Sequence, residues 1–188
     1  MVETGIIPTG YERTLPPEAQ LLVRARRRHL VRRSEGRVLD LGGAEAHRGL
    51  WAGTADVVVL DGVDDARLGE LDGGFDTIVS VFQLASAADL DATLRRLHDL
   101  LADDGRLRFV EPARLVGVGG RLQRAVAPGI GAFTGWRADR DIPLALRRAG
   151  LSVTDVARHR VTTLQPWLRQ VVEGTAHRAL RPGAGAGG

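Results

Sequence analysis

The chain has 188 residues, 44% hydrophobic and 26% charged, which suits one domain with its own core and is short for two. Cysteine is absent, which excludes disulfides, thiolate catalysis and cysteine-ligated zinc. All 26 residues counted as lysine plus arginine are arginines, yet 23 acids leave a net charge of only +3, so charge alone points to no polyanionic partner. With no apolar run of spanning length and no charged-then-apolar leader pattern, a cytoplasmic location is expected.

Residues 1–36 read as an N-terminal arm followed by a basic helix. Gly5, Pro8, Gly10, Pro16 and Pro17 break any regular element in the arm, which also holds the only tyrosine, Tyr11. Glu18 to Arg33 reads as a helix, with Leu21, Leu22, Ala25, Leu30 and Val31 as its apolar side. Arg24, Arg26, Arg27, Arg28, Arg32 and Arg33 make it the most basic stretch. A solvated face beside a sheet explains this composition, and no interleaved aromatics offer stacking platforms for bases, so a nucleic-acid partner is not expected.

Residues 37–180 read as a doubly wound, mostly parallel α/β sheet. Arg37-Val-Leu-Asp-Leu41 is a branched apolar run that ends in Gly42-Gly43-Ala44, the pattern of a buried parallel strand closing in a tight turn. Asp56-Val-Val-Val-Leu60 is a second such run, and Asp61 stands at its tip. A glycine turn after the first strand and an acid at the tip of the second is a nucleotide-site layout, in which the acid takes the hydroxyls of a ribose. Phe75 to Val81 is the next buried strand. Asp89 caps an amphipathic helix with Leu90, Leu94, Leu97 and Leu101 on one stripe, and Asp103-Asp104-Gly105 is where that helix should end. Arg106 to Val110 follows as a strand, stopped by Glu111-Pro112. The glycine-rich stretch from Val116 to Gly135 reads as a mobile cover. Asp139 to Ala149 reads as a helix, and Leu151–Val161 with Leu168–His177 as a hairpin divided by Gln165-Pro166. Residues 181–188 are a glycine-rich tail.

In this order the segments resemble class I S-adenosylmethionine (SAM)-dependent methyltransferases, in particular the ubiquinone/menaquinone C-methyltransferase-like group. Val38-Leu39-Asp40-Leu41-Gly42 resembles the first motif of that family, and Asp61 its ribose-binding acid. Phe75 to Ser80 resembles the fourth-strand motif, Leu100 to Leu107 the "LLxPGGxL" turn, and Gly135 to Asp141 with Ala149-Gly150-Leu151 the late segment. The resemblance implies a Rossmann-like sheet with an antiparallel last strand and SAM across the tips of the first two strands. It places Asp40, Gly42, Gly43, Ala44, Asp61, Gly62, Val81 and Phe82 at the cofactor. It also implies that Tyr11 and Trp136 stand on the substrate side. The implied activity is methyl transfer to a small-molecule acceptor.

Two departures stand out. The D-x-G-x-G-x-G pattern appears with Ala44 and Ala46 at its second and third glycines, and an alanine forced to positive φ there would cost about 1–2 kcal/mol. Only thirteen residues separate Asp61 from Phe75, too few for a helix, a third strand and a return, so that edge strand is expected to be missing. Asp64 or Asp65 could replace its adenine-side acid, although aspartates in a turn usually serve the turn itself. The second reading is therefore a methyltransferase-fold protein that no longer methylates, acting as a partner subunit or a binding scaffold with the same cleft. No catalytic base is assigned; His47, beyond the glycine turn, and Glu111, after the fifth strand, are the candidates. The five histidines show no metal-ligand spacing.

Overall fold

Six mostly apolar runs become the strands of one sheet in the computed structural model, which describes residues 17–42, 51, 56–115, 120–121, 125, 137–161 and 169–179. β1 (Val38–Leu41), β2 (Val57–Leu60), β3 (Phe75–Val81) and β4 (Leu101–Pro112) run parallel, while β5 (Leu151–Arg160) and β6 (Gln170–Arg178) form an antiparallel hairpin. Their order across the sheet is β2-β1-β3-β4-β6-β5, with β6 antiparallel to β4. The fold is thus the expected Rossmann-like sheet with a C-terminal antiparallel hairpin. Between Asp61 and Phe75 there is only a 3-10 turn over Ala66–Gly69, so β2 is the outer strand and the extra edge strand is missing.

Strand alternation sorts the core into two layers. Leu39 and Leu41 face α2 (Leu90–Leu100) and α3 (Ile142–Arg148), where Leu94, Leu97, Leu100, Ile142 and Leu146 pack on Ile78, Leu107 and Phe109. Val38 faces α1 (Pro17–Val31), whose Val23, Leu30 and Val31 pack with Val79, Val81 and Val110. Full burial of each such leucine or valine contributes about 1.5–3 kcal/mol. The Asp89 side chain accepts the Ala92 N–H at 2.9 Å and caps α2, and Asp141 caps α3 through Leu144 N at 3.2 Å.

Two boundaries and one helix face differ from expectation. α2 stops at Leu100, because Leu101 is already extended and pairs with Phe75; a register shift then brings Thr77 opposite Arg106. Residues 101–105 therefore belong to β4 rather than to the helix. α3 starts at Ile142, with Asp141 as its cap instead of Asp139. On α1 the buried stripe is Val23, Arg27, Leu30 and Val31, whereas Leu21 is 67% exposed and Ala25 points to water. With the buried Arg27 inside that stripe, the apolar residues alone do not mark the buried face of α1.

Candidate functional site

The strand registers build the site. Leu60 pairs with Leu41, Leu41 with Ser80 and Ser80 with Phe109, so four parallel strands reach their carboxyl ends in one row. The next residues along β2, β1 and β3 are Asp61, Gly42 and Val81, which stand side by side at the edge where open α/β sheets bind ligands. Gly42 takes φ 74°, a left-handed turn that suits glycine, and its N–H donates to the Leu60 carbonyl at 2.9 Å. Asp61 is exposed, and its carboxylate has no hydrogen bond or ion pair among the described residues; only its backbone N–H is engaged, with Asp65 Oδ2 at 3.2 Å.

Gln83 completes this edge. Its side chain is 1% exposed, and Nε2 has no hydrogen-bond partner among the described residues. A Cβ on Gly62 would stand 3.2 Å from Gln83 Oε1, so the loops after β2 and β3 meet here. Sequence reasoning passed over Gln83; its one signal is a lone amide inside the run Val81-Phe82-Gln83-Leu84-Ala85. Val81 and Phe82, expected to line the ligand, are both fully buried and pack in the α1-side core. They support the edge from beneath, and Phe82 holds an uncommon φ of 59° to let the chain turn there.

Asp40 does something other than expected. It is fully buried on the α1 side, ion-paired to the equally buried Arg27, and its Oδ2 accepts the Trp51 indole N–H at 3.0 Å. Arg27 also donates from Nη1 and Nη2 to the Leu41 carbonyl at 3.2 Å. Burial pushes the Asp40 carboxyl above its usual range, opposed by the Arg27 charge and the Trp51 bond. Asp40 therefore ties α1 to the end of β1, just before the Gly42 turn, and shapes that turn instead of offering a carboxylate to a ligand. Arg26 also pairs across the fold, with Glu173 at 3.0 Å, so part of the basic stretch of α1 is committed to holding the sheet.

Glu111 is likewise a positioning residue. Its Oε1 accepts the Ser80 hydroxyl at 2.7 Å and the Gln83 and Leu84 N–H groups at 3.1 Å, and its Oε2 accepts the Ala85 N–H at 3.1 Å. It is fully buried, and that burial pushes its carboxyl up to about 7 despite these four donors. The same loop is held from the other side by Arg140, whose Nη1 donates to the carbonyls of Leu84 at 3.1 Å, Ala85 at 3.4 Å and Ala87 at 2.7 Å. Asp64 Oδ1 accepts the Ala88 N–H at 3.2 Å. Side chains thus satisfy both donors and acceptors of residues 83–88 and fix the loop beside the edge. Asp65 is spent on its own turn, taking Arg67 N–H groups at 2.6–3.1 Å; the Arg67 bond holds its carboxyl down at about 2. Asp65 thus serves its own turn, whereas Asp64 reaches across to the loop after β3.

Tyr11, Gly43, Ala44, His47 and Trp136 lie outside the described residues, as do the arm, the tail and most of 116–135, where Gly120, Arg121 and Ala125 are helical. Among the described residues no group of three histidines and acids is arranged to hold a metal, and no helix is long and apolar enough to cross a membrane.

No protein-family profile and no curated protein sequence matches this chain. Solved structures do. A putative methyltransferase in complex with the Haloferax volcanii Trm112 methyltransferase activator superposes with TM-score 0.58 at 14% identity, over 92% of this chain and 99% of that one. The mitomycin 7-O-methyltransferase MmcR gives 0.54 at 15% identity over 85% of this chain. LepI, solved in complex with SAM, gives 0.50 at 14% identity over 77%. The fold is methyltransferase-like. The chain spans 55% of the length of MmcR and 43% of LepI.

Proposed function

We propose that the chain binds SAM across the tips of β1 and β2 and transfers its methyl group to a small-molecule acceptor. The observation that carries this reading is the free, exposed carboxylate of Asp61 beside the left-handed Gly42 turn, at the row where the strands end. The residues present fit the cofactor. Asp61 suits a ribose diol, the Gly42 backbone leaves room for close approach, and the buried Gln83 Nε2, still without a partner among the described residues, is a donor for a heterocycle or carboxylate. SAM supplies an electrophilic methyl carbon on a sulfonium sulfur. The protein's own contribution is placement and exclusion of water, which in-line displacement needs more than an acid–base pair. Glu111, Arg140 and Asp64 provide the placement by holding residues 83–88.

Titration calorimetry with SAM and S-adenosylhomocysteine tests the reading. Wild-type protein should bind both, and Asp61→Ala should weaken binding by at least about a hundredfold, from two lost hydrogen bonds to a charged acceptor. A folded wild-type protein that binds neither ligand would overturn it.

A further inference from the structure

Beyond the end of β4 a recess of about 190 Å³ opens between the hairpin and the start of α3. Its floor is apolar, formed by the buried Ala113, Pro143 and Val172, and three arginines stand around it: Arg114, Arg140 and Arg158. The sheet register explains the assembly. Glu111 pairs with Val172 and Val172 with Arg158, so Arg158 projects from the same row that carries the Glu111 clasp. The guanidinium groups of Arg114 and Arg158 make no hydrogen bond or ion pair among the described residues. Arg140 spends Nη1 on the loop carbonyls, and burial draws its guanidinium below the usual range. The single acid, Asp141, has Oδ1 committed to the cap of α3.

Like charges gathered around an apolar floor are unfavourable unless an anion joins them. We propose that this recess binds a small organic anion, with the carboxylate or phosphate between Arg114 and Arg158 and an apolar body on Val172 and Pro143. The volume is below the roughly 300–1,000 Å³ of sites for drug-sized ligands, so the bound part is one anionic group with a ring or short chain. Resting on the methyltransferase reading, this anion is the methyl acceptor: Arg140 touches both the recess and the loop of residues 84–87 that borders the SAM edge, and so links the two.

The test is calorimetric titration of the full chain, at fixed ionic strength, with phenyl phosphate, benzoate, inorganic phosphate and neutral benzyl alcohol. The anion that wild-type protein prefers, phenyl phosphate or benzoate, identifies the group. It should bind more tightly than both inorganic phosphate and benzyl alcohol, and the double variant Arg114→Gln/Arg158→Gln should weaken it about a hundredfold, roughly tenfold per lost charged hydrogen-bond donor. Both arginines are exposed, so the variant should keep the wild-type melting temperature and unchanged affinity for S-adenosylhomocysteine. Equal binding of the aromatic anion by wild type and variant, or no preference over benzyl alcohol, would overturn the recess proposal even if S-adenosylhomocysteine binds. Loss in the variant combined with no S-adenosylhomocysteine binding to wild type would leave the recess standing and remove the methyltransferase reading.

Discussion

Glu111→Gln separates the ionised clasp from its shape. Glutamine retains one carbonyl oxygen, enough for Ser80, Gln83 and Leu84, but turns an N–H₂ toward the Ala85 N–H, and the lost bond costs about 1–3 kcal/mol. The diagnostic quantity is the pH dependence. Burial places the native carboxyl at about 7, against 4.5 when exposed, so the folded state holds its proton more tightly than the unfolded one. Stability contributed by this group is therefore greatest at low pH, is lost as pH rises from about 4.5 through 7, and is constant above. Integrating the linkage relation gives a loss of about 2.5 kcal/mol between pH 5 and pH 8. Glutamine does not titrate, so the stability difference between wild type and variant should move by that amount, in the variant's favour, over the same range. Urea unfolding followed by circular dichroism at fixed ionic strength measures it, since all other groups titrate in both proteins. A wild-type-minus-variant difference that stays constant across the range would mean that the four donors outweigh burial and keep Glu111 ionised throughout.

Much of the fold was readable because it depends on local patterns. Branched apolar runs gave the four parallel strands, and Asp89 with the Leu90, Leu94, Leu97 stripe gave α2. Counting residues between Asp61 and Phe75 was enough to remove the edge strand, since chain length limits what a connection can hold. The site was less legible. Asp61 and Gly42 could be singled out because sheets of this kind bind ligands at the ends of their strands, and the structure leaves the Asp61 carboxylate without a partner among the described residues. Asp40 and Glu111 sit at equally suggestive positions, but what they do depends on partners far away in sequence. Arg27 reaches Asp40 from a helix, and the Glu111 oxygens are filled by donors 26–31 residues earlier. An acid at the end of a strand reads the same whether it faces a ligand or a ring of backbone donors. Only the number of donors already around it, visible in three dimensions, separates the two. Arg114 and Arg158 illustrate the converse. Nothing in their separate surroundings marks them, and it is the β4–β6–β5 register that brings them to one recess.

Two further substitutions probe the scaffold. Gly36 holds φ 69°, and a Cβ there would collide with the Asp76 carboxylate, which accepts the Arg37 N–H at 2.7 Å; Gly36→Ala should therefore cost about 2 kcal/mol in denaturant unfolding, half from the backbone and half from the displaced bond, and a neutral result would refute the account. Arg27→Met removes the cation from a fully buried pair and leaves the Asp40 carboxylate with the Trp51 indole as its one side-chain partner among the described residues, at a cost of about 3–5 kcal/mol. Because burial already raises the Asp40 carboxyl, the single variant can lessen this cost by taking up a proton, so it should be less destabilised at pH 5 than at pH 8. Adding Asp40→Asn removes the charge and keeps an acceptor for Trp51, so the double variant should recover most of the loss and most of any weakened S-adenosylhomocysteine binding. A double variant no more stable than Arg27→Met would show that the two bonds from Arg27 to the Leu41 carbonyl, not the charge on Asp40, are what hold the end of β1 against α1.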